Sequence, residues 1–404
     1  MTMKKLLTGL LLAALGLQLF GCAAEGGAPD GTEQTVTEQK AETEENETVD
    51  PSAAAADFAL ALLRRCKDGE KNCVLSPYSI LTALAMTENG ADGETLRQFE
   101  EAFGMPCGTL NDYLAGCFAK AGEETAGANS VWLRDEDGLA LKEEYRELMQ
   151  ELFGAECFTA PFDAETVAQV NAWVSAHTKE RVDQIVDTLD DASMVLINAL
   201  SFDAKWAVPY TGVKNGSFTA SDGTLQEVEM LSGKENAYLE GGGMTGFVKP
   251  YEGGKYSFVA LLPNEGTDVD ACLASLTGSD LLDLIRNASE EQVTATMPKL
   301  KTETSLRLAD ALFGLGLTDA FTAAADFSRM ADAAQHIDEV LHKTYLSVDE
   351  EGTEAAAATA VIMTKSARPM MGRSVTLDRP YLLAIVDNET DCLLFLGVIN
   401  RIPE

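Results

Sequence analysis

Histidine, serine and cysteine are the residues most often turned to catalysis, and in this chain they are poorly arranged for it. His177, His336 and His342 are its three imidazoles, and none lies in a His-Glu-x-x-His zinc pattern. No Gly-x-Ser-x-Gly elbow presents a nucleophilic serine, and no Gly-rich loop is built to cradle phosphates. Seven cysteines follow Cys22: Cys66, Cys73, Cys107, Cys117, Cys157, Cys272 and Cys392. They form no Cys-x-x-Cys motif, and an odd number cannot all pair within one chain. They read as small apolar residues, with a Cys66–Cys73 disulfide compatible with export. Conventional enzymology is therefore unsupported, and no metal or cofactor is implied.

The most unusual stretch is Glu350 to Ala367, whose centre is Gly352-Thr353-Glu354-Ala355-Ala356-Ala357-Ala358-Thr359. Four consecutive alanines favour a helix by propensity, yet the segment lacks a helix's apolar stripe. At a period of two it separates into faces. Thr353, Ala355, Ala357, Thr359, Val361 and Met363 form an uncharged one, and Glu354, Ala356, Ala358, Ala360, Ile362 and Thr364 the other. Such a face can enter the middle of a sheet, where bulk would clash and charge would lose its water. Lys343 to Asp349 alternates as a strand ahead of it, with Thr344, Leu346 and Val348 on one side, and Gly352 supplies a hinge. A low-complexity loop or a short alanine helix fits the same residues taken alone.

The elements that must position this stretch alternate between helices and strands. The spacing predicts helices over Ala53 to Leu63, from Ser76-Pro77 to Asn89-Gly90, and over Glu94 to Phe103, Leu110 to Ala119, Leu141 to Phe153 and Ala164 to Glu180. Two more are expected over Ala271 to Arg286 and Ser305 to Leu315. Strands are expected over Asn129 to Leu133, Ser193 to Phe202, Tyr256 to Leu262 and Gln292 to Pro298. Asp222-Gly223 marks one hairpin, and Tyr381 to Val386 with Cys392 to Ile399 forms a second, buried one. No internal repeat or long linker divides this part.

Ahead of it, residues 1–21 carry Lys4, Lys5 and an apolar run from Leu6 to Phe20, the pattern of an export signal. Leu19-Phe20-Gly21-Cys22 resembles a bacterial lipobox, which would make Cys22 a lipidated first residue; an ordinary secretory signal is the alternative. Residues 22–52 are rich in Glu, Thr and Gly and read as an acidic tether, with a coil reach on the order of 30 Å. The formal net charge of -35 argues against nucleic acid or an anionic membrane surface as a partner, leaving a lipid on Cys22 as the only membrane attachment.

Several stretches carry a resemblance to one family. They include Leu75-Ser76-Pro77-Tyr78-Ser79-Ile80, Ala128-Asn129-Ser130-Val131-Trp132, Asn198-Ala199-Leu200-Ser201-Phe202 with Trp206, Met297-Pro298-Lys299, Ala325-Asp326-Phe327-Ser328 and Val340-Leu341-His342-Lys343. In order and spacing these stretches, with Glu350 to Thr359 as a hinge, resemble the serpins. The resemblance implies an α+β fold for residues 53–404, with eight to nine helices, three β-sheets and a reactive-centre loop at 350–373. It also implies a metastable monomer that inhibits serine proteases as a suicide substrate, through a covalent acyl complex and loop insertion.

The family's register places the reactive bond fourteen residues past the hinge glycine, between Ser366 and Ala367. A small residue before the bond suits an elastase- or subtilisin-like protease, and cleavage after Lys365 by a trypsin-like one is the second choice. By the same resemblance His342, Asn198, Ser76 and Ser79 form a polar shutter beneath the main sheet, and Trp206 stands at the breach where the loop enters. A non-inhibitory surface binding protein of this family is the alternative. Either would sit on the outer face of the cell membrane as a lipoprotein, or be secreted.

Overall fold

Asp50 and Ser76 each stand before a proline, and each caps a helix. The Asp50 carboxylate accepts from the amides of Ser52 and Ala53, and the Ser76 hydroxyl from that of Ser79. Pro51 and Pro77 occupy first-turn positions where no amide donor is needed. The computed structural model describes residues 49–135, 140–189, 192–332, 334–353 and 372–403, and its first helix starts at Pro51, ahead of the expected Ala53.

The chain runs α1 (Pro51–Cys66), β1 (Cys73–Leu75), α2 (Pro77–Gly90), α3 (Gly93–Phe103), α4 (Cys107–Ala119), β2 (Thr125–Arg134), α5 (Glu143–Phe153), β3 (Glu156–Ala160), α6 (Ala164–His177), β4 (Met194–Phe202) and β5 (Ala204–Lys205). It continues through β6 (Gly212–Thr219), β7 (Leu225–Glu235), β8 (Tyr238–Gly241), β9 (Met244–Pro250), β10 (Tyr256–Pro263), α7 (Val269–Ser275), α8 (Gly278–Arg286), β11 (Val293–Pro298), β12 (Leu300–Arg307) and α9 (Ala309–Phe313). Last come β13 (Glu339–Val348), β14 (Gly352–Thr353), β15 (Arg373–Thr376), β16 (Tyr381–Asp387) and β17 (Leu393–Ile399). Among the described residues this is an α+β fold with nine α-helices and three sheets.

Three expectations for the elements change. Ala271 to Arg286 is two helices, because Thr277 and Asp280 form a capping box that restarts the chain. A Cβ on Gly278 would lie 2.2 Å from the Ala53 carbonyl oxygen, so the break lets α8 close on α1. Ser305 to Arg307 belongs to β12, where Leu300, Thr302 and Thr304 are buried in alternation, and only Ala309–Phe313 is helical. Finally, α6 stops at His177, because Lys179 and Glu180 follow in left-handed backbone.

The largest sheet frames the site. Its order is β3-β2-β4-β13-β14-β5, with β12 on the other side of β13. Strand β4 is central, as its apolar run on both faces requires. Met194 and Leu196 belong to the main core with Ile80, Leu81 and Leu84 of α2, while Val195 and Ile197 pack with Val170 and Val174 of α6. Each such aliphatic side chain, fully buried, contributes about 1.5–3 kcal/mol, so both layers hold β4 in place. The β16–β17 hairpin sits in the middle of a second sheet and is buried along its length.

Candidate functional site

At its upper end β13 turns back on itself. Val348 pairs with Thr353, and between them Asp349 Oδ1 accepts from the amides of Glu351 (2.8 Å) and Gly352 (3.1 Å), the local bond by which aspartate stabilises turns. The returning strand, β14, lies between β13 and β5, pairing Gly352 with Lys205 and Thr353 with Ala204. Glycine is required at 352 for room rather than for hinge freedom: its backbone is not left-handed, and a Cβ there would lie 2.1 Å from the Ala204 carbonyl oxygen.

Four groups hold this turn. Trp206 donates its indole N–H to Asp349 O (2.9 Å) and its amide to Glu351 O (2.8 Å), and Tyr210 donates its amide to Glu350 O (2.9 Å). Lys299 pairs with Glu350 at 2.8 Å. The Thr353 side chain, 0% exposed, shares a 2.6 Å hydrogen bond with the Tyr251 hydroxyl, and Tyr251 stacks on Trp206 with ring centroids 4.5 Å apart. Burial pushes the Tyr251 phenol above its ordinary range, so it is a neutral partner for threonine.

Lower in the sheet, β13 and β4 run parallel and pair from Glu339 with Val195 to Lys343 with Ala199. Among the described residues these pairs go no higher. His342 lies opposite Asn198, which in turn lies opposite Asn129 of β2. The imidazole is fully enclosed and burial lowers its pKa to about 3, so it is neutral. Its Nε2 accepts from the Ser76 backbone amide at 3.0 Å, which leaves the ring proton on Nδ1.

Among the described atoms, the residues of the expected polar shutter make two contacts. Ser76 meets His342 through its backbone, since its hydroxyl caps α2, and the Ser79 hydroxyl has no hydrogen-bond partner among the described residues. Of Asn198 the structure describes the backbone. Threonines carry further polar links: Thr344 Oγ1 donates to Val74 O, and Val74 N donates to Thr304 Oγ1. All seven cysteines after Cys22 are free thiols, so the Cys66–Cys73 disulfide is absent.

Glu350, Glu351, Gly352 and Thr353 are therefore brought together with Trp206 above the β4–β13 pairs, and Ser76 and His342, with Asn198 opposite in the sheet, lie near the upper end of those pairs. Glu354 to Thr359, Lys365, the Ser366–Ala367 bond and Cys22 lie outside the described residues. The chain is described again from Gly372, where β15 joins a different sheet beside β11. Sequence reasoning missed Tyr251, Tyr210, Asp349 and the buried pair Lys249–Glu235. The available signal for the pair was Lys249 sharing a face of β9 with Phe247, two positions away.

Comparison with known proteins agrees with this geometry. The family described as serpin (serine protease inhibitor) matches residues 53–402. An uncharacterized serpin-like protein of Thermococcus kodakarensis is 31% identical over 363 residues, covering 85% of this chain and 84% of its own. The thermophilic serpin tengpin in its native state superposes with a TM-score of 0.83 at 38% identity, covering 89% of this chain and 96% of its own. In its latent state tengpin gives 0.76 at 36% identity, covering 88% and 99%. Thyroxine-binding globulin in complex with thyroxine gives 0.78 at 25% identity, covering 87% and 99%, so the same fold also binds thyroxine in that protein. Most serpins inhibit proteases, and they do so without being enzymes themselves. By the family match and the shared fold, this chain belongs to the serpin family.

Proposed function

We propose that this protein is an inhibitory serpin that traps serine proteases by inserting its reactive-centre loop into the main sheet. One observation carries the reading: the loop's first strand residues, Gly352 and Thr353, already occupy a place between β13 and β5. Continued in the register of Val348 with Thr353, the following residues would bring Ala355 opposite Leu346, Ala357 opposite Thr344 and Thr359 opposite His342. The small face would then point into the interior that now encloses Thr353.

The sequence of events follows from this register. A protease attacks the Ser366–Ala367 bond; its serine oxygen bonds to the Ser366 carbonyl carbon, and Ala367 leaves with the amine. The freed segment then zips downward. As far as Ala357 it meets no β4–β13 pair, but from Ala358, opposite Lys343, it must displace the parallel pairs that end at Glu339. Each displaced parallel pair is replaced by antiparallel pairing on both sides of the new strand, which is slightly more stable per residue. Insertion of about 10 residues at 3.4 Å moves the acylated end roughly 35 Å, with the protease attached. Insertion must outrun hydrolysis of the ester, and the inward face from Thr353 to Thr359, with side chains no larger than threonine, keeps the start of that race short.

The favoured targets are elastase- or subtilisin-like, with trypsin-like cleavage after Lys365 second. A non-inhibitory carrier role, as in thyroxine-binding globulin, is the competing reading, but the alanine-rich hinge weighs against it. We place the protein as a monomer outside the cell, anchored through a lipid on Cys22 or secreted. Incubation with elastase-, subtilisin- and trypsin-like proteases tests the inhibitory reading: a detergent-resistant adduct and a released peptide beginning at Ala367 are expected. Simple cleavage by all three, with every protease left active, would support the carrier.

A further inference from the structure

The segment that holds the hinge, Trp206 to Tyr210, is braced from behind by a buried ion pair. Lys249 on β9 and Glu235 at the end of β7 are 2% and 5% exposed, with Nζ and Oε1 2.9 Å apart. The same ammonium donates to the Val208 carbonyl oxygen at 2.8 Å. It also lies 4.0 Å from the Tyr210 ring centroid and 5.2 Å from that of Trp206, within cation–π range of both. The Tyr210 hydroxyl is buried without a hydrogen-bond partner among the described residues, so this ring is held by its face rather than its polar tip.

A buried ion pair adds little stability over apolar side chains of the same volume, because both charges must leave water. Burial raises the pKa of Glu235 and lowers that of Lys249, each opposed by its partner. What the ammonium contributes is position. It ties one carbonyl and two rings of a short irregular segment to a single point. From that segment the Trp206 amide, the Trp206 indole and the Tyr210 amide reach the carbonyls of Glu351, Asp349 and Glu350.

We propose that Lys249, held by Glu235, is a positioning residue for loop insertion: it fixes Trp206 to Tyr210 so that the hinge is seated before a protease arrives. The link to inhibition rests on the function proposed above; the seating itself does not.

Hydrogen exchange on the intact purified protein tests the seating. Lys249→Met combined with Glu235→Leu removes both charges together and strands neither. The amides of Trp206 and Tyr210 are expected to exchange at least about tenfold faster, with the β16–β17 amides unchanged. Tyr210→Leu, which removes the ring face and leaves the pair intact, is expected to do the same and serves if the double variant does not fold. Lys249→Arg, which keeps the cation, is expected to stay close to wild type. Unchanged exchange at both amides in a folded variant would overturn the proposal. With a protease that wild type traps, the double variant is expected to give several-fold more cleaved protein per covalent complex at an unchanged association rate. Faster exchange with an unchanged ratio would overturn the link to insertion. If wild type traps no protease, the inhibitory reading fails, and exchange still decides the seating.

Discussion

In the proposed mechanism loop entry turns on Thr353, which is already enclosed and hydrogen-bonded to Tyr251. Replacing it by arginine would force an unpaired guanidinium into that space, a desolvation penalty of several kcal/mol. Thr353→Arg is therefore expected to be cleaved as a substrate, with covalent complex on denaturing gels falling severalfold. Two buried ionisable groups set opposite pH limits on the native state. His342 titrates near 3 in the fold against an ordinary 6.5, so the unfolded chain binds the extra proton between those values and stability falls as pH drops through them. Glu88, near the end of α2, has its pKa raised to about 8 from 4.5, first by burial and then by the Glu100 charge. Its carboxyl oxygens have no hydrogen-bond partner among the described residues. There the folded state holds the extra proton, so stability falls as pH rises from 4.5 to 8. Glu88→Gln is expected to stabilise the fold at pH 8 by on the order of a few kcal/mol, read as a higher thermal midpoint, and to change little at pH 4.5. Between pH 4.5 and 6.5 the two contributions oppose each other, so a wild-type midpoint flat from pH 6.5 to 8 would contradict the Glu88 assignment, and one flat from pH 3 to 4.5 that of His342.

At the scale of elements, the register between β13 and β14 makes a prediction that cleavage can check. In the cleaved protein residues 344 and 357 become directly opposite neighbours, with Cβ atoms about 5 Å apart. Thr344→Cys with Ala357→Cys is expected to cross-link readily under oxidation after loop cleavage and poorly before it, read by peptide mass mapping. Gly352→Ala is expected to expel the hinge, since its Cβ would meet the Ala204 carbonyl, and so to speed exchange at the Trp206 amide. Much of this frame was legible in the chain. The alternation of Thr344, Leu346 and Val348 marked β13, the apolar run in β4 marked a central strand, and Ser76-Pro77 marked a helix start. What escaped depended on partners distant in sequence. The break before Gly278 has a local sign in Thr277 and Asp280, but the close approach of α1 that it permits has none, and β12 alternates too weakly to be separated from the helix after it. Gly352 looked like a flexible joint, and only the neighbouring Ala204 carbonyl gives its real constraint.

For the whole molecule, the account requires a fold that has not reached its lowest free energy. The main sheet is held together across its lower half by the parallel pairs of β4 with β13, and its upper half already holds the first residues of another strand. Completing that strand adds two antiparallel ladders, with each hydrogen bond worth about 0.5–1.5 kcal/mol net, and buries Val361 in addition. While the loop is whole, its far end is committed to β15 in another sheet. Severing it releases the constraint. The most direct measurement is the thermal midpoint of the purified protein before and after a single cut between Thr359 and Gly372. The account predicts a rise of tens of degrees on cleavage. An unchanged midpoint in the fully cleaved protein would contradict it.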